Sequence, residues 1–286
     1  LRETTIWGPL VVRFTSRRYT LARSLKRYGS PGSCNRVRYA VVLGSEDPAK
    51  LRRQLRLARL CGIRDFKLKL GDGELALDRL RLEAVMQVLS KGLMYQDVTL
   101  RVDANGSWQP EQALEAMRLL KGLPIAAVEQ PTPRGMEETW RQLHEMSGLP
   151  IMADESLVTL ADAEYLAQTK AVQSLNIRIS KNGGLTGAIR LAEFARRNHL
   201  TTQIGCMVGE TAILSAAQVK LLSIIDNATF VEGCFGRLLL RDDVGPRVQF
   251  GLAGRPPRVN KLGLGMTVDG NRLSRLCPDR PKRLAP

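Results

Sequence analysis

The chain has few of the residues that most cofactor chemistry requires. Of its 286 residues only 2 are His and 5 are Cys, and aromatics make up 5%. Cys34, Cys61, Cys206, Cys234 and Cys277 are odd in number and scattered, with no CxxC pair or Cys/His cluster. That pattern argues against a zinc module or a disulfide scaffold and suits reduced thiols in a cytoplasmic protein. No apolar run approaches the roughly 18 residues that span a bilayer, so no membrane association is expected. The Gly183-Gly184-Leu185-Thr186-Gly187 stretch lacks the GxGxxG spacing of a dinucleotide fingerprint. Acids are scarce at both ends. Residues 1–38 carry nine basic and one acidic side chain, and residues 251–286 carry eight and two. The 212 residues between them are nearly balanced, 26 basic against 25 acidic, so the net charge of +15 belongs to the ends. A nucleic-acid enzyme more often shows a basic face across its body, and no specific nucleic-acid partner is expected. Arg17, Arg18 and Arg23 interrupt any apolar core of a signal peptide within residues 1–36.

What the chain does have is 44% apolar residues, enough for a large core, and a regular alternation of segments. β-rich runs fall at Val37–Leu43, Asp65–Leu70, Val98–Val102, Ile125–Val128, Pro150–Ala153, Val172–Ile179, Thr201–Ile204 and Ala228–Val231. Between them lie helical stretches at Pro48–Cys61, Glu74–Ser90, Pro110–Leu120, Gly135–Met146, Leu160–Gln168, Leu185–Asn198 and Glu210–Ile225. Leu51, Leu55 and Ala58 recur at helical spacing, Pro48 and Pro110 suit a first turn, and Gly62, Gly92, Gly122 and Gly148 suit C-terminal caps. Eight runs alternating with helices predict a single α/β domain, a (β/α)8 TIM-type barrel over residues 37–250. A basic N-terminal segment (1–36) precedes it, and a basic C-terminal segment (251–286) is expected to pack back or partly extend.

Charged or unusual residues follow the runs in a constant register. From Lys69 the sequence reaches Asp103, Glu129, Asp154 and Lys181 at intervals of 34, 26, 25 and 27 residues, and then Cys206 and Glu232 after 25 and 26 more. Each interval is one βα unit, and the C-terminal strand ends of a barrel converge on one rim. A lone carboxylate at a strand end usually caps a helix or forms a salt bridge. Three in one register, flanked by lysines, call for a cation to offset their repulsion. All-oxygen ligands select Mg2+, and no His lies nearby to suggest zinc. Two lysines on opposite sides of such a site can take and return a proton on opposite faces.

These residues resemble a known family. Lys67-Leu68-Lys69, Asp103-Ala104-Asn105, Glu129-Gln130-Pro131, Asp154-Glu155-Ser156 and Lys181-Asn182-Gly183-Gly184 are similar to the successive motifs of the enolase superfamily, muconate-lactonizing-enzyme subgroup. The resemblance spans roughly residues 37–270. It implies Asp103, Glu129 and Asp154 as Mg2+ ligands, and Lys69 and Lys181 as an acid/base pair. Lys67 would depress the Lys69 pKa or contact the substrate carboxylate. Asn105, Cys206 and Glu232 are expected at the substrate. The implied reaction removes a proton α to the carboxylate of a small substrate through an enolate, followed by racemisation or epimerisation, cycloisomerisation or elimination. Homo-oligomers are common in such families.

The departures concern substrate choice. No His follows the seventh run, so the lysine pair is the remaining chemistry. Dipeptide epimerases carry Asp-x-Asp after the eighth strand to grip an ammonium; here Glu232-Gly233-Cys234 replaces it. Members usually carry an N-terminal capping domain, and residues 1–36 offer at most a remnant, with Leu21, Leu25 and Tyr28 at helical spacing. The competing expectation is therefore a catalytically silent, lidless barrel that binds anionic partners through its basic ends.

Overall fold

A computed structural model describes residues 37–71, 73–90, 98–233, 236–246, 248, 250–257 and 263–276. Eight strands run β1 (Val41–Leu43), β2 (Asp65–Lys69), β3 (Thr99–Asp103), β4 (Ile125–Glu129), β5 (Ile151–Ala153), β6 (Ser174–Ile177), β7 (Thr201–Ile204) and β8 (Ala228–Val231). They pair in sequential order and all pairings are parallel. The ring closes where Tyr39 bridges Val231 in parallel and the Ala40 N–H donates to the Val231 carbonyl at 2.9 Å. Helices α1 (Pro48–Leu60), α2 (Leu75–Leu89), α3 (Pro110–Leu120), α4 (Trp140–Ser147), α5 (Leu160–Gln168), α6 (Gly184–Arg197) and α7 (Ala212–Leu222) connect them. Short helices α8 (Gly236–Leu239) and α9 (Gly270–Leu276) follow β8. This is the (β/α)8 barrel expected.

Local chemistry sets the element ends. The Asp47 carboxylate accepts from the Ala49 N–H at 2.8 Å ahead of Pro48, which starts α1. Thr159 and Asp162 form a reciprocal capping box on α5. Gly148 ends α4 at φ +74°, a left-handed conformation that glycine adopts without steric cost.

Several boundaries differ from expectation, β6 among them, which shortens from Val172–Ile179 to Ser174–Ile177. The first run shortens to Val41–Leu43, leaving Tyr39 as an isolated bridge. The stretch expected to be helical from Gly135 begins as a 3-10 turn at Glu137–Thr139, and α4 starts only at Trp140. The Glu137 carboxylate accepts from the Gly135 N–H at 2.9 and 3.0 Å and holds the chain in a turn there. α7 starts at Ala212 because Thr211, at ψ 173°, is extended, while Glu210 turns back to accept from the Met207 N–H.

Strand alternation sorts side chains into two cores. Phe66, Leu68, Val102, Val128, Leu175, Ile177, Ile204 and Val231 pack outward against helical residues such as Leu51, Leu55, Val85 and Met117. Alternate positions face the lumen, where Ala127, Met152 and Phe230 form a small separate apolar cluster. That cluster is a floor. The lumen positions one step nearer the strand C-termini are polar.

The part of the C-terminal segment that is described returns to the barrel. The Tyr39 N–H donates to the Gly254 carbonyl at 2.8 Å, and the Tyr39 and Phe250 rings lie 5.7 Å apart. α9 is exposed on every residue. Residues 1–36, with the expected capping remnant, lie outside the described residues, as do Cys34, Cys234 and Cys277. No described helix is long and apolar enough to cross a membrane.

Candidate active site

The structure brings the strand-end residues to one rim. Lys69, Asp103 and Glu129 are register neighbours at the ends of β2, β3 and β4, and Asp154 directly follows β5. Lys181 lies in the turn between β6 and α6. Asp103, Glu129 and Asp154 are all buried.

The protein's own cations link the three carboxylates. Lys67 Nζ lies 2.9 Å from Asp103 Oδ2, 3.3 Å from Glu129 Oε2 and 2.8 Å from Glu232 Oε2. Arg178, just past β6, pairs with Asp154 Oδ2 and lies 3.9 Å from Glu129 Oε1. Lys181 Nζ donates to Asp154 Oδ1 at 2.6 Å and also reaches the Asp154 and Asn176 carbonyls. Two carboxamides complete the shell of Glu129: Asn176 Nδ2 donates to Oε1 at 2.7 Å and Gln203 Nε2 to Oε2 at 3.1 Å. A methyl group at Gly205 would collide with the Asn176 carboxamide, so a glycine there lets Asn176 reach Glu129.

Burial and charge act against each other in this cluster. Burial opposes the charge on Lys67, but Glu129, Glu232 and Asp103 outweigh it and raise its pKa above the ordinary lysine range. Lys67 therefore stays an ammonium and cannot act as a base. Burial raises Asp103 to about 6, with Glu129 adding repulsion and Lys67 opposing. Burial would also raise Glu129, but Lys67, Arg178 and Arg101 hold it below the usual carboxylate range. Burial and then Arg178 bring Lys181 down to about 7. Burial, followed by Glu210 and Glu232, pushes the half-buried Cys206 thiol up to about 12, which leaves it protonated and a poor nucleophile.

The remaining expected residues fall as follows. Lys69 is half-buried at the mouth, and no ion pair holds it among the described residues. Asn105 is exposed at φ +47°, and its N–H donates to Asp103 Oδ1 at 2.9 Å, so its backbone orients that carboxylate. Glu232, expected to face a substrate, turns into the lumen with both oxygens engaged. Oε1 accepts from Arg101 at 2.9 Å and Oε2 pairs with Lys67.

Several positioning residues were not expected. Arg101 and Asn176 alternate with apolar residues on β3 and β6, Arg178 continues the β6 alternation just past its end, and Gln203 lies inside β7. Gln130, at φ +39°, accepts from the Asp154 and Ser156 N–H groups at 3.1 and 3.2 Å and donates to the Thr132 carbonyl and Ser156 Oγ. It ties the end of β4 to the turn that presents Asp154.

Hard oxygen donors suit Mg2+. Asp103 Oδ2 and Asp154 Oδ2 are buried and, although each touches a cation, neither has an aligned hydrogen bond among the described residues. The donor chemistry thus fits the ion. Among the described residues no three acids already stand in ligating geometry, because Lys67 and Arg178 lie between them.

Comparison with known proteins agrees with this arrangement. Residues 50–272 match the enolase C-terminal domain-like family. An L-Ala-D/L-Glu epimerase of Clostridium acetobutylicum is 29% identical over 228 residues, covering 77% of this chain and 62% of that protein. Muconate cycloisomerase 1 of Pseudomonas putida is 31% identical over 222 residues, 75% of this chain and 56% of that protein. The structure of the muconate lactonizing enzyme from Pseudomonas putida superposes with a TM-score of 0.75 at 29% identity, covering 83% of this chain and 64% of that one. The chain therefore spans less than two thirds of the length of each of these relatives. With five motifs in order, on a closed barrel whose rim carries them, the chain belongs to the enolase superfamily, in its muconate-lactonizing-enzyme subgroup.

Proposed function

We propose that the chain is a Mg2+-dependent isomerase or lyase that removes a proton α to the carboxylate of a small substrate. One observation carries this reading. Lys69 and Lys181 come from β2 and the end of β6, four strands apart in a ring of eight, with Asp103, Glu129 and Asp154 on the rim between them. Two lysines on opposite sides of the mouth can address opposite faces of one carbon. A neutral amine on one side takes the α-proton, and an ammonium on the other returns a proton to the far face. The outcome is inversion at that carbon, and a leaving group or internal nucleophile on the substrate would divert it to elimination or cyclisation.

Asp103, Glu129 and Asp154 would hold Mg2+, which when bound supplies positive charge next to the substrate carboxylate. Lys67, always charged, adds positive potential under the same group. The named relatives, an L-Ala-D/L-Glu epimerase and a muconate cycloisomerase, favour dipeptides and unsaturated dicarboxylates as the substrates to try, and N-acyl amino acids extend the panel.

The test is deuterium incorporation in D2O, followed by proton NMR, with that panel and with Mg2+ or EDTA. Mg2+-dependent exchange at the α-carbon of any member is the expected result. A second reading, a silent barrel that binds polyanions, is favoured by the self-neutralised site. No exchange across the panel, together with salt-sensitive heparin binding, would replace the first reading with the second.

A further inference from the structure

Glu232 is a buried carboxylate that belongs neither to the acid/base pair nor to the candidate ligand set. It is 4% exposed, and its two oxygens face two different cations, Arg101 at 2.9 Å and Lys67 at 2.8 Å. For Lys67 this is the shortest of three ion pairs, against 2.9 Å to Asp103 and 3.3 Å to Glu129. An ammonium has three N–H donors, so three carboxylates compete for one head group. The place where Lys67 comes to rest is a compromise among them.

Arg101 biases that compromise. It is fully buried one step deeper than Asp103 on β3, and its guanidinium lies 4.4 Å above the Phe230 ring on the lumen floor. Among the described residues its Nε and Nη1 have no hydrogen-bond partner, so Glu232 receives its one aligned bond. Desolvated charge of this kind is costly, and separating such a pair leaves each partner uncompensated. Arg101 and Glu232 therefore act as one fixed unit at the base of the site.

We propose that Glu232, anchored on Arg101, is a positioning residue. It takes a share of the Lys67 ammonium, whose charge would otherwise be divided between Asp103 and Glu129 alone. Lys67 therefore neutralises those two acids only in part, and their remaining negative charge can attract a divalent cation. Without Glu232, Lys67 would be their undivided counter-ion and compete more strongly with that cation. This inference rests on the reading that Asp103 and Glu129 hold Mg2+.

A double-mutant cycle read by calorimetric titration of Mg2+, with no substrate present, tests it. Glu232→Gln keeps the shape and removes the charge, and Mg2+ affinity falls about tenfold. Lys67→Met removes the competitor. In that background Glu232→Gln changes the affinity less than twofold. If Glu232→Gln does not fold, Glu232→Asp takes its place in the same cycle under the same criterion. An equal loss in both backgrounds overturns the proposal, because Glu232 would then act on the ion without Lys67. No loss in either background overturns it as well. A native chain that binds no Mg2+ sinks the functional reading and this inference together, whereas native binding with an uncoupled cycle sinks this inference alone.

Discussion

The two sides of the barrel contribute different chemistry. Strands β2 to β5 deliver Lys67, Lys69, Asp103, Glu129 and Asp154, the groups that would bind and react. Strands β6 to β8 deliver Asn176, Arg178, Gln203 and Glu232, the groups that hold them. Glu129 shows the division: apart from Lys67 its partners are Asn176 at 2.7 Å, Gln203 at 3.1 Å and Arg178 at 3.9 Å, all from the second side. Among the described residues of the first side only Lys67 offsets the three buried acids, and its ion pairs reach Asp103 and Glu129 but not Asp154. The second side makes their proximity tolerable, so site geometry and fold stability depend on the same contacts.

The largest expected effect cuts across the division, because the acid/base pair takes one lysine from each side. Lys69→Ala and Lys181→Ala should each slow α-proton exchange by about 10³-fold, within the range for a lost general base. Exchange in D2O measures this, and undiminished rates in both variants would remove the lysines from the mechanism. An effect of similar size is expected at Cys206, on the second side. Its pKa is raised from 9.0 to about 12, so the reactive thiolate is lost below the raised value. Between pH 7 and 9 that form is scarcer by about 10³-fold than for an ordinary thiol. Alkylation followed by mass spectrometry should label exposed Cys61 fully while Cys206 stays unmodified, and equal labelling would contradict the burial.

Glu129→Gln comes next. It leaves Lys67 and Arg178 short of a buried counter-charge, and loss of one partner from such a pair costs about 3–5 kcal/mol. Urea unfolding of the metal-free chain should show that loss. A variant as stable as the native chain would mean that the second side does not need Glu129 for its own compensation.

The first side was readable from sequence and the second mostly was not. Lys69, Asp103, Glu129 and Asp154 follow their strands at one-unit intervals, and a barrel turns that linear period into a shared rim. Lys181 belongs to the same period. Arg178, Asn176 and Gln203 stand inside or directly beside strands, where a polar residue has no periodic partner. Their signal was alternation: Ser174, Asn176 and Arg178 are polar at every second position around the buried Leu175 and Ile177. Glu232 kept the register of the first side, yet its neighbours across the lumen, Arg101 and Lys67, turned it inward. Register locates a residue on the rim, but the side chain's direction depends on partners several strands away. The helix expected from Gly135 shows the same limit, since a local Glu137 turn outweighed the helical spacing around it.

The smallest expected effect isolates the second side. Gln203 donates one hydrogen bond to Glu129 and leaves its own buried Oε1 without a partner among the described residues, and Asn176 does the same with Oδ1. Replacing Gln203 with Leu removes a bond to a charged acceptor, a loss of about 1.5–3 kcal/mol. It also removes the unpaired carbonyl, whose burial costs about 1–3 kcal/mol. The two largely cancel, so Gln203→Leu should destabilise by about 1 kcal/mol at most in urea unfolding. Asn176→Leu carries the same two terms but gives up the shorter bond, and it brings a branched side chain against Gly205, where there is no room. It should cost more than Gln203→Leu. If Gln203 proves the more expensive of the two, the charge on Glu129 is being held mainly from β7, and the Gly205 gap just past that strand exists for some purpose other than admitting Asn176.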